Sequence, residues 1–336
     1  MKKIFLIAFS ILFSLYLPAQ KLYKIGIIGL DTSHSTEFTK LLNGGEAKEY
    51  ADFKIVAAYP YGSKTIKSSY DRIPQYIEEV KKYGVEIVSS IADLLSKVDY
   101  VMLETNDGNL HLEQAAEVLR AGKTMFIDKP VGASLPQAIA IYQLAKRCNV
   151  SVFSSSSLRF SAQNQKLRNA GFGKVLCADF TSPAPVEPSH PDFSWYGIHG
   201  VEALFTIMGT GCKEVNRMQS ATEDVVTGKW VDERTGVFRG RKSGPELYTY
   251  GGIVLTDKGI NLAGGYDGYK MLLDEIIKFF KTGIVPVTSE ETLEIFTFME
   301  ASNESVKKGG KIISMEDTFK KGQKQADILL KKYISK

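Results

Sequence analysis

The stretch that decides the fold is Lys24-Ile25-Gly26-Ile27-Ile28-Gly29-Leu30, followed by Asp31-Thr32-Ser33-His34-Ser35. The first part is a continuous apolar run, which is typical of a strand buried on both faces of a parallel sheet. The second part predicts a turn, and a helix is expected over residues 36–42, ended by Asn43 and two glycines. A buried strand, a turn and a helix predict the first unit of an alternating α/β domain.

Strands and helices continue to alternate after this unit. Further strands are expected at residues 53–59, 86–88, 100–104, 124–127 and 151–154. Helices are expected at residues 73–83, 91–96, 111–121 and 134–148. This alternation predicts a Rossmann-type doubly wound parallel sheet, in which ligands bind at the carboxyl ends of the strands.

The pattern changes after about residue 155. Short strand-like runs, separated by Gly and Pro, are expected at residues 175–180, 215–219, 230–238, 246–249 and 252–256. Helices are expected at residues 200–208, 270–282 and 289–308. The second half is therefore predicted to be an α+β domain with a mostly antiparallel open sheet. The expected domains span residues 20–150 and 151–336.

Residues 1–19 have the pattern of an export signal. Lys2 and Lys3 precede an apolar run from Ile4 to Leu17, and Pro18 and Ala19 follow. A basic start, an apolar centre of about 14 residues and a small residue at the end are typical of a secretory signal peptide. We expect cleavage after Ala19 and a periplasmic or other extracytoplasmic protein without stable membrane insertion. An uncleaved anchor is the alternative, although the run is short for a membrane span.

Composition excludes several classes of protein. The chain has 336 residues, of which 44% are hydrophobic and 24% charged, so it is a globular protein rather than a disordered or fibrous one. Its net charge of +4 is too small to indicate a nucleic-acid partner. Four histidines at positions 34, 111, 190 and 199 lack metal-ligand spacing, so the sequence predicts no metal site.

The turn after the first strand is where a dinucleotide would approach the backbone. The fingerprint expected there is G-x-G-x-x-G, whose glycines let a diphosphate reach the start of a helix. The aligned residues are Gly29, Leu30, Asp31, Thr32, Ser33 and His34. Asp31 brings a carboxylate to the position where a phosphate comes close, and it either enters the phosphate site or caps the helix. Thr32 and Ser33 offer hydroxyl donors in place of the missing glycines.

The end of the second strand bears on the type of cofactor. An acid that binds the ribose hydroxyls is normally found there, but this sequence has Tyr59-Pro60-Tyr61-Gly62-Ser63-Lys64. Ser63 and Lys64 either accept a 2′-phosphate, which would favour NADP over NAD, or belong to a solvated loop.

The tripeptide Asp128-Lys129-Pro130 follows directly on the strand expected at 124–127. A lysine at the mouth of a parallel sheet is well placed to hydrogen-bond a reacting hydroxyl group. The alternative is an ordinary exposed lysine.

Taken together, these motifs resemble the Gfo/Idh/MocA family of NAD(P)-dependent oxidoreductases. The resemblance rests on the following residues in order: Gly26-Ile27-Ile28-Gly29, Glu104-Thr105-Asn106, His111, Ala115, Ala121-Gly122-Lys123, Asp128-Lys129-Pro130, Leu158-Arg159-Phe160, Gly171-Phe172-Gly173-Lys174-Val175, Gly197-Ile198-His199, Ala301, Ser305 and Gly309-Gly310. It covers nearly the whole chain after the expected signal.

The resemblance implies hydride transfer between a sugar-like or polyol hydroxyl carbon and a nicotinamide. It places Lys129 at the family's catalytic lysine and His199 at its histidine. The cofactor-binding residues are expected to be Gly29, Leu30, Asp31, Thr32, Ser33, His34, Ser63, Lys64, Glu104, Thr105, Asn106, His111 and Asp128.

The resemblance also implies an acid one helical turn before His199, but that position holds Trp195. Asp192 or Glu202 is expected to orient His199 instead. Trp195 and Tyr196 are expected to form either a stacking wall for a sugar or part of the core, and Arg159 either lines the pocket or ties the domains together.

Three functions remain open at this point. The first is an exported NAD(P)-dependent oxidoreductase that acts on a sugar, glycoside or cyclitol. Because free nicotinamide nucleotide is scarce outside the cytoplasm, the second is a redox-neutral glycosidase or lyase that retains its cofactor. The third is a cofactor-free carbohydrate-binding protein on the same fold. The expected partners are a small carbohydrate-like molecule and a second copy of the chain, paired through the C-terminal sheet.

Overall fold

The computed structural model describes residues 21–45, 47–244 and 247–334. The expected signal peptide at 1–19 lies outside the described residues, as does Glu246 at the start of one expected strand. None of the helices in the described part of the chain is both long enough and apolar enough to cross a membrane.

The first half of the chain forms a six-stranded parallel sheet with helices on both faces. Its strands are β1 Tyr23–Ile28, β2 Phe53–Tyr59, β3 Glu86–Ile87, β4 Tyr100–Leu103, β5 Met125–Asp128 and β6 Val152–Ser155. Its helices are α1 Ser33–Asn43, α2 Lys67–Tyr70, α3 Ile73–Lys81, α4 Ile91–Lys97, α5 Gly108–Arg120 and α6 Leu135–Cys148. The strand order β3-β2-β1-β4-β5-β6 confirms the predicted Rossmann-type sheet, with its switch point between β1 and β4. The sheet extends past the expected domain boundary at residue 150, because β6 belongs to it.

The second half forms a seven-stranded sheet that packs against helices. Its strands are β7 Val175–Pro183, β8 Cys212–Gln219, β9 Glu223–Trp230, β10 Thr235–Arg241, β11 Gly251–Thr256, β12 Gly259–Ala263 and β13 Ile313–Ser314. Its helices are α7 Ala162–Arg168, α8 Ile198–Met208, α9 Lys270–Thr282, α10 Ser289–Lys307 and α11 Met315–Ile334. The order is β12-β11-β7-β10-β9-β8-β13, and β7 with β10 is its parallel pair. The predicted α+β class with a mostly antiparallel sheet is confirmed.

Several details of the second half differ from the prediction. The single strand expected at 230–238 is wrong, because β9 ends at Trp230 and the chain turns through Glu233 before β10 begins. Residues 247–249 form a turn and loop rather than a strand. β12 and α11 are additional elements that the sequence pattern did not reveal.

Helix α9 packs against the first sheet, although it comes late in the chain. Its apolar face, including Leu272, Ile276 and Phe279, shares one buried core with Ile25 of β1 and Phe53 of β2. One face of the six-stranded sheet is thus covered partly by a helix from the C-terminal half.

Candidate active site

A cleft of about 650 Å³ opens at the carboxyl ends of the first sheet and extends to the second sheet. This volume lies within the range of small-molecule sites. The residues that line it come from both halves of the chain: Thr32, Ser33, His34, Ser68, Arg72, Asn106, Lys129, Ser157, Leu158, Pro185, Trp195, Tyr196, His199, Tyr248, Tyr250, Tyr266 and Tyr269.

Asp31 does not enter this cleft. Its carboxylate is fully buried and accepts two backbone N–H groups, from Ser63 at 3.2 Å and from Asn106 at 2.9 Å. Burial raises the pKa of Asp31 to about 6, although both N–H donors act in the opposite direction. Asp31 therefore joins the loops after β2 and β4. The alternative that it caps α1 is wrong, because Thr32 is the residue at the helix N-cap.

Two glycines permit this close packing at the edge of the sheet. A Cβ on Gly29, which has a φ of +91°, would lie 2.5 Å from the backbone nitrogen of Thr105. A Cβ on Gly62 would lie 2.1 Å from Oδ2 of Asp31. The first glycine of the fingerprint is thus retained for a close backbone approach, and Gly62 makes room for the carboxylate that replaces the second.

Several predicted cofactor residues support the cleft from beneath rather than lining it. The hydroxyl of Ser63 accepts the N–H of Ile66, and Lys64 is exposed, so neither forms a prepared phosphate site. His111 is fully buried and uses Nε2 to contact the carbonyl oxygen of Thr105 at 2.6 Å. Leu30 is a buried core residue. Asn106 lines the cleft.

A group of charged side chains lies at the ends of β4 and β5. Glu104 and Asp128 are both fully buried, and Nδ1 of His34 lies 3.0 Å from Oδ1 of Asp128 and 3.9 Å from Oε2 of Glu104. Burial and the charge of Asp128 raise the pKa of Glu104 well above its usual value. Burial lowers the pKa of Lys129, although these carboxylates oppose that effect.

Lys129 and His199, the two predicted catalytic residues, line the same cleft. His199 lies in the first turn of α8, and its Nδ1 lies 2.7 Å from Oγ of Ser156. This contact leaves Nε2 for a ligand. Burial, followed by the nearby Lys129 and His34, holds the pKa of His199 well below 6.5.

The two acids expected to orient His199 have other partners. Asp192 pairs with the buried Arg217 on β8. Glu202 accepts from Oγ of Ser155 at 2.6 Å, from the backbone N–H of Ser156 at 2.9 Å and from Nε of Arg159 at 2.7 Å. Glu202 thus binds Ser156, and Ser156 in turn contacts His199.

Arg159 joins two helices of the second half and does not line the cleft. It is 2% exposed, and it pairs with Glu202 on α8 and with Glu291 on α10. The expected role in lining this cleft is therefore not seen, and the ion pairs of Arg159 lie within the second half.

Aromatic rings cover one side of the cleft. Tyr196 lies beside His199, with ring centroids 5.2 Å apart, and its hydroxyl contacts that of Tyr250 at 2.9 Å. The four tyrosines at positions 248, 250, 266 and 269 were not predicted as site residues. Their clustering around glycines, in Tyr248-Thr249-Tyr250-Gly251-Gly252 and Gly264-Gly265-Tyr266-Asp267-Gly268-Tyr269, was the available signal.

Arg72 is a further cleft residue that the sequence did not single out. It lies between α2 and α3 and brings an exposed guanidinium to the same cleft as the start of α1. Its charge and the N-terminus of α1 together favour an anionic ligand there.

A Rossmann sheet is joined here to an open sheet across a polar cleft. This architecture is typical of a class of two-domain nucleotide-binding enzymes. Residues 23–156 match the Gfo/Idh/MocA family model, described as an oxidoreductase family with an NAD-binding Rossmann fold. The predicted family is thereby confirmed over the N-terminal domain. Members of this family are NAD-binding oxidoreductases, which agrees with the predicted NAD(P)-dependent oxidoreductase.

Solved structures extend the likeness in fold to most of the chain. Scyllo-inositol dehydrogenase from Lactobacillus casei, with bound NAD(H) and scyllo-inositol, has a TM-score of 0.69 at 16% identity, covering 88% of this chain and 100% of that one. A myo-inositol dehydrogenase from Corynebacterium glutamicum has a TM-score of 0.70 at 14% identity, covering 87% and 98%. No curated protein matches this sequence.

The contact between Gly62 and Asp31 gives a stability prediction. Gly62→Ala is expected to lower the free energy of unfolding by about 1–3 kcal/mol, because the new methyl group collides with a carboxylate held by two N–H donors. Asp31→Ala alone is expected to cost roughly 1–3 kcal/mol, because it leaves those donors unpaired. In the double variant the loss is expected to be clearly smaller than the sum, as measured by urea unfolding. Additive losses would show that the two residues do not compete for the same space.

Proposed function

We propose that the protein is an NAD(P)-dependent oxidoreductase that oxidises a ring hydroxyl of a cyclitol or sugar. The observation that carries the proposal is the placement of Lys129 and His199 in one cleft, beside a wall of aromatic side chains. The match of residues 23–156 to an NAD-binding oxidoreductase family supports the cofactor class.

The residues at the start of α1 fit a dinucleotide despite the altered glycine motif. The carboxylate of Asp31 is bound by Ser63 and Asn106 and does not line the cleft, whereas Thr32 and Ser33 do. Helix α1 has 11 residues, so its N-terminus attracts a diphosphate, and Arg72 adds a positive charge. A nicotinamide bound beside Lys129 would supply the acceptor for hydride.

Lys129 and His199 have complementary tasks in this proposal. The ammonium group of Lys129 polarises the substrate hydroxyl, and Nε2 of His199 accepts its proton. This role requires the proton of the neutral imidazole to sit on Nδ1 and to be donated to Oγ of Ser156. Because Glu202 binds the N–H of Ser156, the acid acts on His199 through an intervening serine.

The aromatic wall supports a polyhydroxylated ring as the substrate. Trp195, Tyr196, Tyr248, Tyr250 and Tyr269 offer flat faces and hydroxyl groups around the cleft. Such surfaces stack on the apolar face of a sugar ring while their polar edges contact its hydroxyl groups. The inositol dehydrogenases that share the fold act on ligands of this chemistry according to their descriptions.

The main test combines cofactor binding, product analysis and two variants. Wild-type protein is expected to bind NAD or NADP and to reduce it in step with oxidation of a cyclitol or sugar. Lys129→Met and His199→Gln are each expected to lower kcat by about 10²–10⁴ while cofactor affinity changes little, because each removes one proton-handling group. A matched control is Lys82→Met, an exposed lysine that does not line the cleft.

Other outcomes would identify a different function. Release of free sugar without net change in NAD(P)H would favour the redox-neutral glycosidase or lyase. Sugar binding by calorimetry without a response to either cofactor at millimolar concentration would favour the carbohydrate-binding protein and contradict the proposal.

The low pKa of His199 gives a pH dependence. The neutral ring is the active base, and burial together with Lys129 and His34 keeps it neutral well below pH 6.5. The side chains of Ser156, Tyr196 and Tyr250 also face it. The kcat/KM for oxidation is therefore expected to stay constant as the pH falls through 6.5. A His199-dependent acid limb centred at or above pH 6.5 would contradict this assignment.

We also propose that the protein is exported, on the evidence of the basic and apolar pattern of residues 1–19. The expected mature chain begins at Gln20. Intact-mass analysis of the protein in the extracytoplasmic fraction of the native cells would show whether residues 1–19 have been removed. A chain that retains Met1 and stays with the cytoplasmic fraction would contradict export. Pairing of two copies through the second sheet stays a prediction.

A further inference from the structure

His34, Glu104 and Asp128 form a compact buried group that the proposed hydride transfer does not use. His34 comes from the first turn of α1, Glu104 follows β4, and Asp128 ends β5. One ligand atom from each lies within 4.8 Å of the other two. The nearest exposed surface is the cleft, since His34 lines it and Lys129 follows Asp128.

The group contains polar atoms without hydrogen-bond partners. Both carboxylate oxygens of Glu104 and Oδ2 of Asp128 are buried and unpartnered. Nδ1 of His34 is close to Oδ1 of Asp128, but the two are not aligned as a hydrogen bond. An unpaired buried polar group is costly, and a charged one costs more, so a group of this kind indicates a missing partner.

Lys129 is not a hydrogen-bond partner for all the buried oxygens of Glu104 and Asp128. Its ammonium group lowers the cost of the two negative charges, but it lies 5.9 Å from the ring of Tyr196, at the cleft side. The backbone N–H of Lys129 already occupies Oδ1 of Asp128, at 2.8 Å. The free oxygens of Glu104 and Asp128 therefore remain available to a cation.

The spacing suits a small divalent ion. Metal bonds to imidazole nitrogen and carboxylate oxygen of about 2.0–2.2 Å place neighbouring ligand atoms roughly 3 Å or more apart. Nδ1 of His34 lies 3.0 Å from Oδ1 of Asp128, an oxygen that keeps a second lone pair beside the N–H of Lys129, and 3.9 Å from Oε2 of Glu104. Imidazole is a ligand that transition metals prefer, whereas Ca²⁺ and Mg²⁺ are usually held by oxygen alone.

We propose that His34, Glu104 and Asp128 bind one divalent transition-metal ion, with Zn²⁺ as the best match. With three protein ligands, the ion retains an open coordination position, which is typical of zinc sites that contact a ligand or water. One of the three ligands, His34, stands at the third glycine of the dinucleotide fingerprint, where the sequence departs from that motif. The proposal holds whether or not the protein transfers hydride.

The test uses untagged mature protein that has been stripped with EDTA and contains no nicotinamide nucleotide. Elemental analysis after dialysis against ZnCl₂ and calorimetric titration with Zn²⁺ are expected to give one ion per chain, together with a higher melting temperature. Separate titrations with Mn²⁺ and Mg²⁺ are expected to show at least tenfold weaker binding of Mg²⁺. Equal or tighter binding of Mg²⁺ would overturn the assignment to a transition metal.

Variants decide whether the ion binds at this group. Glu104→Gln and His34→Gln are each expected to weaken Zn²⁺ binding by at least tenfold and to abolish the rise in melting temperature. Glu300→Gln is the matched control, because burial also raises the pKa of that acid but it lies outside the group. Two variants are used so that the test can be read even if one of them does not fold. Circular dichroism in metal-free buffer shows which of them are folded. No binding by the wild type, or binding that Glu104→Gln leaves unchanged, would overturn the proposal.

Discussion

The contact on which the site depends is the pairing of one buried carboxylate with two backbone N–H groups. Asp31 binds the loop after β2 through Ser63 and the loop after β4 through Asn106. These loops form the edge of the Rossmann sheet at its switch point, where such folds hold their ligands. A glycine at this position would leave both donors without a partner. The carboxylate therefore gives this edge of the sheet a fixed internal support. Thr32, Ser33 and Arg72 line the cleft beside it, and under the proposed function these residues would bind the anion.

The same principle recurs on the other side of the cleft. His199 is positioned by a serine, and that serine is positioned by Glu202, which is in turn paired with Arg159. Arg159 also contacts Glu291 on α10, so the orientation of the imidazole is linked to packing between helices. Buried charges in such networks are costly unless each finds a partner, and this chain pairs these ones closely.

The first domain could be predicted from the sequence because most residues of β1, β4, β5 and β6 are buried, whichever face of the sheet they lie on. Apolar runs such as residues 24–30 leave few alternatives, and the expected strand at 53–59 coincides with β2. In the second domain, buried and partly exposed residues alternate along strands such as β9 and β10. The turn at Glu233 between them is flanked by apolar residues, so the sequence there resembles one continuous strand. Lys129 and His199 were found by motif, whereas the cleft tyrosines at positions 248, 250, 266 and 269 were not. The group of His34, Glu104 and Asp128 could not be found by spacing, because parallel strands bring together residues that are far apart in the chain.

The position of helix α9 has a consequence for how the chain matures. Domains of large proteins generally fold as units during synthesis, with the N-terminal one first. Here the nucleotide-binding sheet lacks part of its apolar cover until residues 270–282 have emerged, since Leu272, Ile276 and Phe279 complete its core. A nascent chain that ends before this helix leaves Ile25 and Phe53 exposed on that face. The core of the first domain is therefore complete only when the C-terminal half is present, and a recombined protein that exchanges the second half also exchanges this helix.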